Sequence, residues 1–398
     1  MELFIQMGHN TRKLAMEHLE DFGSGTVILS PMNIAPNKIK DCSDEVHRKN
    51  GTVLVDPQLY YPRKIQKKLS EYAFWPQDDI TALESGHFDK VVQELSYLNR
   101  NIEADMFILP SNTTKRIDEV WNKVQRIIIQ SAKEFLPDIE RIHTIALSSD
   151  VVNDEVQMER IISFVEEWDV EGVYIVCEHP QKYYLVDKPL WVSNIMSLTA
   201  GIKRQHKKVI VGYANHQLLC MALTKCDAIA SGNFLNLRWF KPEHFETIEE
   251  KQPSRRAVWY YCPQALSEYK IPFLDIASRM NLLNRMEPPK LMKNLYSDML
   301  FSGSLPTSTG FSEKLACRHY LYCLRKQCQG SVRETYKETK DAYLAMLGTA
   351  EQLLSGLGDK GIRGQDRDFS EICDVNRAAI SAFDMAYQFP LSKEWENI

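Results

Sequence analysis

The stretch VIVGYANHQLLCMALTKCDAIASGN, Val209 to Asn233, decides how the chain is read. Two short apolar runs rich in branched side chains each give way at once to polar residues, and a segment with helical spacing lies between them. Buried strands that end in Asn215, His216, Ser231 and Asn233 are expected where one end of a sheet carries function.

The same unit recurs on both sides. Apolar runs open TVILSPMN (26–33), TVLVDPQLYYPR (52–63), ADMFILPSN (104–112), IHTIALSSD (142–150) and GVYIVCEHP (172–180). They continue as KVIVGYANH (208–216), DAIASGN (227–233) and AVWYYCPQ (257–264). Between most of them lie amphipathic segments such as IDEVWNKVQRIIIQSAKEFL (117–136) and EVQMERIISFVEEWD (155–169). Eight strand–helix units predict a parallel sheet closed as an α/β (β/α)₈ TIM-type barrel over residues 1–287. A doubly wound open sheet is the rival, but it calls for a glycine-rich turn after the first strand, and SPMNIAPNK (30–38) contains no glycine. From Pro288 the strand runs stop, which predicts an α-helical C-terminal domain over 288–398, with GLGDKGIRGQDRD (356–368) as a loop inside it.

The 398 residues are 44% hydrophobic and 25% charged, the make-up of a globular chain with a large core. A net charge of -5 argues against a surface that grips a polyanion everywhere, while leaving room for a local basic groove. Nine cysteines, several inside apolar runs, read as reduced thiols. The N-terminal segment has no basic start followed by a long apolar stretch, and no run reaches the ~20 residues of a membrane span, so a cytoplasmic protein with no membrane association is expected.

In a barrel the residues just after each strand converge on one mouth. Those ends offer Ser30 and Asn33, Asp56 and Gln58, Ser111 and Asn112, and Ser148, Ser149 and Asp150. Glu178 and His179, Asn215 and His216, Ser231 and Asn233, and Tyr260 and Tyr261 complete the ring. Serines, asparagines and Asp150 at such places serve equally as turn or helix-cap residues. Asp56, crowded by Gln58, Tyr60 and Arg63, suits a base or an acceptor for the N–H edge of a heterocycle, with an Asx-turn into Pro57 as the plain alternative. Glu178 and His179 form an acid/base-competent pair of which one member faces the mouth, because neighbours along a strand point to opposite sides.

A metal site from His179, His216 and Glu178 has no spacing rule behind it. Cys317, His319, Cys323 and Cys328 resemble zinc ligands, but on a continuous helix only His319 and Cys323 share a face, so no metal is expected. The chain has no phosphate-binding P-loop, no G-x-S-x-G elbow, no H-E-x-x-H and no dinucleotide fingerprint.

The segment GYANHQLLCMALTKCDAIASGNFLNLRWF, Gly212 to Phe240, resembles the late strands of the tRNA-guanine transglycosylase superfamily. There a glycine-containing strand end and a helix lead to a strand of pattern G-x-D-x-F-D-C-V-x-P-T-R. KCDAIASGNFLNLR follows that outline, with Asp227 at the first aspartate and Arg238 near the closing arginine. VLVDPQLYYPR sits where the family has an aspartate-bearing second strand, which implies that Asp56 recognises the base. The opening ELFIQMGHNTRKLAMEHLEDFGSGTVILSPMN (2–33) is similar to the branch that acts on DNA or has diverged from tRNA. The resemblance spans about residues 20 to 285 and implies the barrel fold.

Two departures stand out. At the family's nucleophilic aspartate this chain has Ala230, with Ser231 beside it, so a carboxylate from a neighbouring register or from Asp150 or Glu178 would have to serve. The family's zinc site of three cysteines and a histidine is reduced here to Cys262, so no cofactor is expected.

The resemblance implies a barrel that binds a purine or 7-deazapurine base, in nucleic acid or as a nucleotide, and acts on its glycosidic bond. Asp56 would hold the base, Tyr60, Tyr61 or Tyr213 would stack on it, and Asn215 or Asn233 would place the sugar. The basic clusters RKIQKK (63–68) and KRQHKK (203–208) are phosphate contacts or solvated helix faces. The alternative is a catalytically inactive barrel that serves as a sensing or scaffolding subunit and docks a protein partner through its helical C-terminal region. A barrel hydrolase of an unrelated family is the third reading.

Overall fold

A computed structural model describes residues 1–62, 66–76, 88–180, 183–246 and 257–398. The first half alternates β1 (Glu2–Gln6), α1 (Arg12–Phe22), β2 (Gly25–Leu29), α2 (Ile39–Arg48), β3 (Gly51–Val55), α3 (Phe88–Asn101), β4 (Met106–Leu109) and α4 (Glu119–Phe135). It continues through β5 (Glu140–Leu147), the short α5 (Ser149–Val152), α6 (Glu155–Glu166), β6 (Gly172–Cys177), α7 (Pro189–Lys203), β7 (Lys208–Val211) and β8 (Ala228–Ser231). After these come α8 (Glu243–Glu246), β9 (Trp259–Cys262), β10 (Ser267–Lys270), α9 (Ile271–Arg279), α10 (Glu313–Gln329), α11 (Tyr336–Gly358) and α12 (Ser370–Glu394).

The eight strands β1 to β8 are parallel and run in the order β3-β2-β1-β8-β7-β6-β5-β4. The two ends of that order meet where the Asp105 amide donates to the Val53 carbonyl at 2.9 Å, so the sheet is a nearly closed (β/α)₈ barrel. Strand alternation splits the apolar residues cleanly in two. Phe4, Ile28, Leu54, Ile108, Tyr174, Ile210 and Ala230 fill the barrel. Ile5, Val27, Val53, Phe107, Ile175, Val211 and Ile229 face the helices.

The expected strand set changes in two places. ELFIQ, not counted among the barrel runs, is β1, paired to β2 and β8 on its two sides. AVWYYCPQ lies outside the barrel, where β9 pairs with β10 as an antiparallel hairpin. A four-residue apolar run satisfies a buried hairpin as well as a buried parallel strand, and only pairing distinguishes them. Tyr260 and Tyr261 therefore leave the mouth: Tyr260 stacks on His319 with centroids 5.0 Å apart, and the Tyr261 hydroxyl donates to Gln327 at 2.9 Å.

The helical C-terminal region completes the barrel wall. The sequence between β7 and β8 forms only a 3-10 segment, His216–Thr224, and among the described residues no long helix directly follows β8. The gap between β8 and β1 is covered by α10, which packs on β1, on α1 and on the 3-10 segment. Near its start the Cys317 thiol reaches the Asn233 carbonyl just beyond β8, and near its end Arg325 donates to the Ser24 carbonyl just before β2. It thus runs against the strand direction, as barrel helices do. The apolar PLWVSNIMSLTAGIK of α7 is buried on nearly every side because α12 covers its outer face.

All nine cysteines are buried and unpaired. Among the described residues no helix is long and apolar enough to cross a membrane, and no group of three His, Cys, Asp or Glu is arranged to hold a metal.

Candidate functional site

Asp56 immediately follows β3, at the carboxyl end of the barrel, and its side chain is buried. Its Oδ1 accepts the Gln58 amide at 3.0 Å, which closes the Asx-turn into Pro57. The same carboxyl also receives hydroxyls from two other places on the chain. Tyr60 donates across both oxygens at 2.9 and 3.0 Å, and Tyr213, just after β7, donates to Oδ2 at 3.0 Å. Gln58 reaches the Tyr213 hydroxyl at 3.4 Å and accepts from Ser30 at 3.1 Å and from the Met32 amide at 3.0 Å.

Loss of solvent pushes the Asp56 carboxyl up, and the hydrogen bonds from Tyr60, Gln58 and Tyr213 pull it partly back, leaving it at about 6. Among the described residues the groups acting on it are hydroxyls and an amide, with no cation. Burial first, and the neighbouring carboxylate second, hold Tyr60, Tyr174 and Tyr213 far above the usual phenol range. At neutral pH the site is one carboxylate ringed by neutral donors.

The backbone is strained to build it. Gln58 and Tyr213 have φ of 56° and 52°, the left-handed region that bulky side chains enter only when their surroundings hold them there. Gly212 must be glycine, since a Cβ there would lie 2.4 Å from the Tyr174 hydroxyl oxygen. Two phenylalanines from the segment after β8 close the mouth. Phe240 lies edge-on to Tyr60 and Tyr213 with centroids 5.0 and 5.4 Å away, and Phe245 meets Tyr60 at 5.1 Å. The Phe240 carbonyl is held by the His179 amide at 3.2 Å, and the Phe245 carbonyl accepts from Gln66.

A second buried polar cluster lies where β8, the β9–β10 hairpin and the C-terminal helices meet. Glu268 accepts from Arg367 at 2.8 Å and from Arg238 at 3.3 Å. Arg238 also donates to the Gly232 and Asn233 carbonyls, both at 2.9 Å, and its guanidinium lies 3.4 Å from the Tyr320 ring centroid. Burial works to raise the Glu268 carboxyl, but Arg367 and Arg238 outweigh it and hold it below the usual range. Burial likewise works against the Arg238 charge, and Glu268 overcomes it.

Asp56, Gln58, Tyr60 and Tyr213 therefore meet as one cluster, and the other candidates go elsewhere. Arg63 and part of RKIQKK lie outside the described residues. Glu178 is half-buried and caps the Ser149 amide at 3.0 Å; its carboxyl is raised first by burial, with Glu243 and Asp150 adding repulsion. Asp150 is exposed in the first turn of α5, the helix-end place its sequence also allowed. His179 packs on Trp191 and Trp239 and is lowered to about 4 by burial.

Asn215 ties loops together, donating to the Tyr184 and Arg238 carbonyls at 3.0 and 3.2 Å and capping Gln217. His216 and Arg238 belong to the second cluster, where the His216 ring sits between Tyr261, Tyr320 and Phe369 and burial lowers it to about 4. Ser231 follows Ile229 on the outward face of β8, beside Tyr320, so moving the family alignment by one residue puts no nucleophile at the mouth. Asn233 lies at the β8–β1 rim beside Gly8, its Oδ1 buried without a hydrogen-bond partner among the described residues.

Sequence reasoning missed four members of the mouth. Gln6 and Tyr174 are polar tips on otherwise apolar strands, and Phe240 and Phe245 read as ordinary loop hydrophobics. The signal for Gln6 was the same as for Asp56, a polar residue closing an apolar run.

No protein-family model matches the chain, and no curated protein does. Several solved structures match the chain at low similarity. N-acetylneuraminate lyase from Mycoplasma synoviae is 13% identical, over 77% of this chain and 85% of its own, with a TM-score of 0.35. The 3-dehydroquinate dehydratase from Aquifex aeolicus is 11% identical, over 61% and 92%, with a TM-score of 0.37. An intracellular xylanase from Thermoanaerobacterium saccharolyticum is 8% identical, over 65% and 90%, with a TM-score of 0.38. At these values the fold rests on the strand order itself.

Proposed function

We propose that the barrel mouth binds a flat heterocycle with adjacent N–H groups, a purine or 7-deazapurine base in nucleic acid or as a nucleotide, in the manner of a transglycosylase-like site. The observation that carries this reading is Asp56, a buried acid without a counter-cation among the described residues, presented at a barrel mouth between aromatic rings. Two N–H donors of a base edge replace the hydroxyls now on its oxygens, and Tyr60, Tyr213 and Phe240 supply faces for the ring. Cleavage of the glycosidic bond is the further step of this reading. It needs a carboxylate beside the sugar; Ala230 faces the interior without one, and Glu178 is the acid at the rim assigned to that task.

A second reading has its own observation. The Asp56 oxygens are already satisfied within the protein and Phe240 and Phe245 fill the mouth, as suits a subunit that senses or scaffolds and docks a protein through its helical C-terminal region. Binding of wild type and Asp56→Ala to single- and double-stranded DNA, tRNA, guanine and 7-deazaguanine separates the two, with mass analysis of the nucleic acid. Binding lost in Asp56→Ala supports base recognition, and a changed base mass adds catalysis. Equal behaviour of both proteins toward every probe favours the subunit.

A further inference from the structure

Gln6 closes β1 with its side chain turned inward and buried. Its amide is used in both directions. Nε2 donates to the Tyr174 hydroxyl at 2.8 Å, and Oε1 accepts the backbone amide of Tyr213 at 2.8 Å. That second bond falls on the residue whose φ of 52° is unfavourable for tyrosine, and it is this conformation that carries the Tyr213 hydroxyl to Asp56 Oδ2. The neighbouring Gly212 leaves room for Tyr174.

We propose that Gln6 is the positioning residue of the Asp56 site: one side-chain amide holds Tyr213 and Tyr174 together and fixes the hydrogen bonds with which Asp56 meets a ligand. The role of that ligand rests on the base-binding reading above, but the placing of the hydroxyls does not. Asp56 is faced by Tyr60 from its own loop, Tyr213 from the end of β7 and Tyr174 from β6, and the facing groups of β1 and β2, Gln6 and Ser30, are uncharged. With Gln6 removed, the Tyr213 amide loses its acceptor, its backbone relaxes out of the left-handed region, and the hydroxyl leaves the carboxylate.

The test follows the Asp56 carboxyl by ¹³C NMR titration of the full chain, its signal assigned by loss in Asp56→Asn, in wild type, Gln6→Met, Tyr213→Phe and the double variant. Gln6→Met is expected to raise the Asp56 midpoint by about half to one pH unit, as Tyr213→Phe does, because each removes a donor that favours the ionised form. The double variant is expected to match Tyr213→Phe alone, since both changes remove one interaction. An unchanged midpoint in Gln6→Met, or effects that add, overturns the proposal. Should Gln6→Met not fold, Gln6→Glu keeps the acceptor for Tyr213 and places a second carboxyl on the same tyrosines. The two acids are then expected to titrate as a coupled pair, and independent titration overturns the proposal. Guanine binding measured across the same pH range is expected to shift with the Asp56 midpoint. If guanine binds none of the proteins, the base-binding reading fails while the titration still decides the role of Gln6.

Discussion

The barrel mouth and the junction beneath the C-terminal helices both bury an acid, and they treat it in opposite ways. Glu268 sits between Arg238 and Arg367, whose charges outweigh the cost of its burial. Among the described residues Asp56 has hydroxyls and an amide for partners, and their hydrogen bonds only partly offset the burial that opposes its ionisation. A buried acid between two cations has its charge compensated inside the protein; one met only by neutral donors keeps a raised pKa, the condition under which an acid can serve a site.

The largest expected effect breaks the junction. Glu268→Ala leaves two arginines buried without their carboxylate and should cost about 3–5 kcal/mol in urea unfolding, with the mouth residues unaltered. A cost below about 1 kcal/mol would remove the distinction between the two clusters.

Acid should separate the regions next. His216 and His319 at the junction are lowered by burial from 6.5 to about 4, so the unfolded chain takes up protons that the folded one does not. Stability is therefore lost as pH falls from 6.5 toward 4, by about 2 kcal/mol per histidine at pH 5. Asp56 has the opposite sign. Its raised value means that the folded form holds its proton more tightly, so the mouth gains stability as pH falls from above 6 toward 4. Hydrogen exchange at pH 5 should show amides of α10 and the β9–β10 hairpin opening before those around Asp56, and the reverse order would contradict the assignment.

Asp56→Asn should then stabilise the protein by about 3 kcal/mol at pH 8, the equivalent of moving the carboxyl from 3.8 to about 6, with the gain vanishing near pH 4. Urea midpoints at the two pH values check this. A loss at pH 8 would mean that Asp56 is as well compensated as Glu268. The smallest effect concerns Asn215. Asn215→Ala should cost about 1 kcal/mol as a lost cap and loop tie while leaving ligand binding alone, and weakened guanine binding at full stability would move Asn215 into the site.

Asp56, Gln58, Tyr60 and Tyr213 were legible in the sequence because each lies within a few residues of the end of an apolar run, and strand ends on one side of a barrel must converge. Asn215, His216 and Ser231 met the same criterion and went elsewhere, as did Arg238, which the family resemblance had suggested, since a short-range pattern does not encode which way a loop turns or what a later helix brings. The strand total of eight came out through one omission and one replacement: ELFIQ at the chain start was passed over, and the hairpin strand WYYC imitated a barrel strand. Glu268 and Arg367 could not be read at all, because their meaning comes from pairing across distant segments.

The placement of α10 has a consequence for how the molecule comes into being. During synthesis β8 can join β1 as soon as Ser231 has emerged, but the wall over that join is supplied by residues Glu313–Gln329, so the nascent barrel carries an uncovered apolar flank while the hairpin and α9 are still being made. Chains stalled short of α10 should be open to protease and need chaperone shelter, and those extended past it should close. β1 therefore stays unsealed until Glu313–Gln329 has been made.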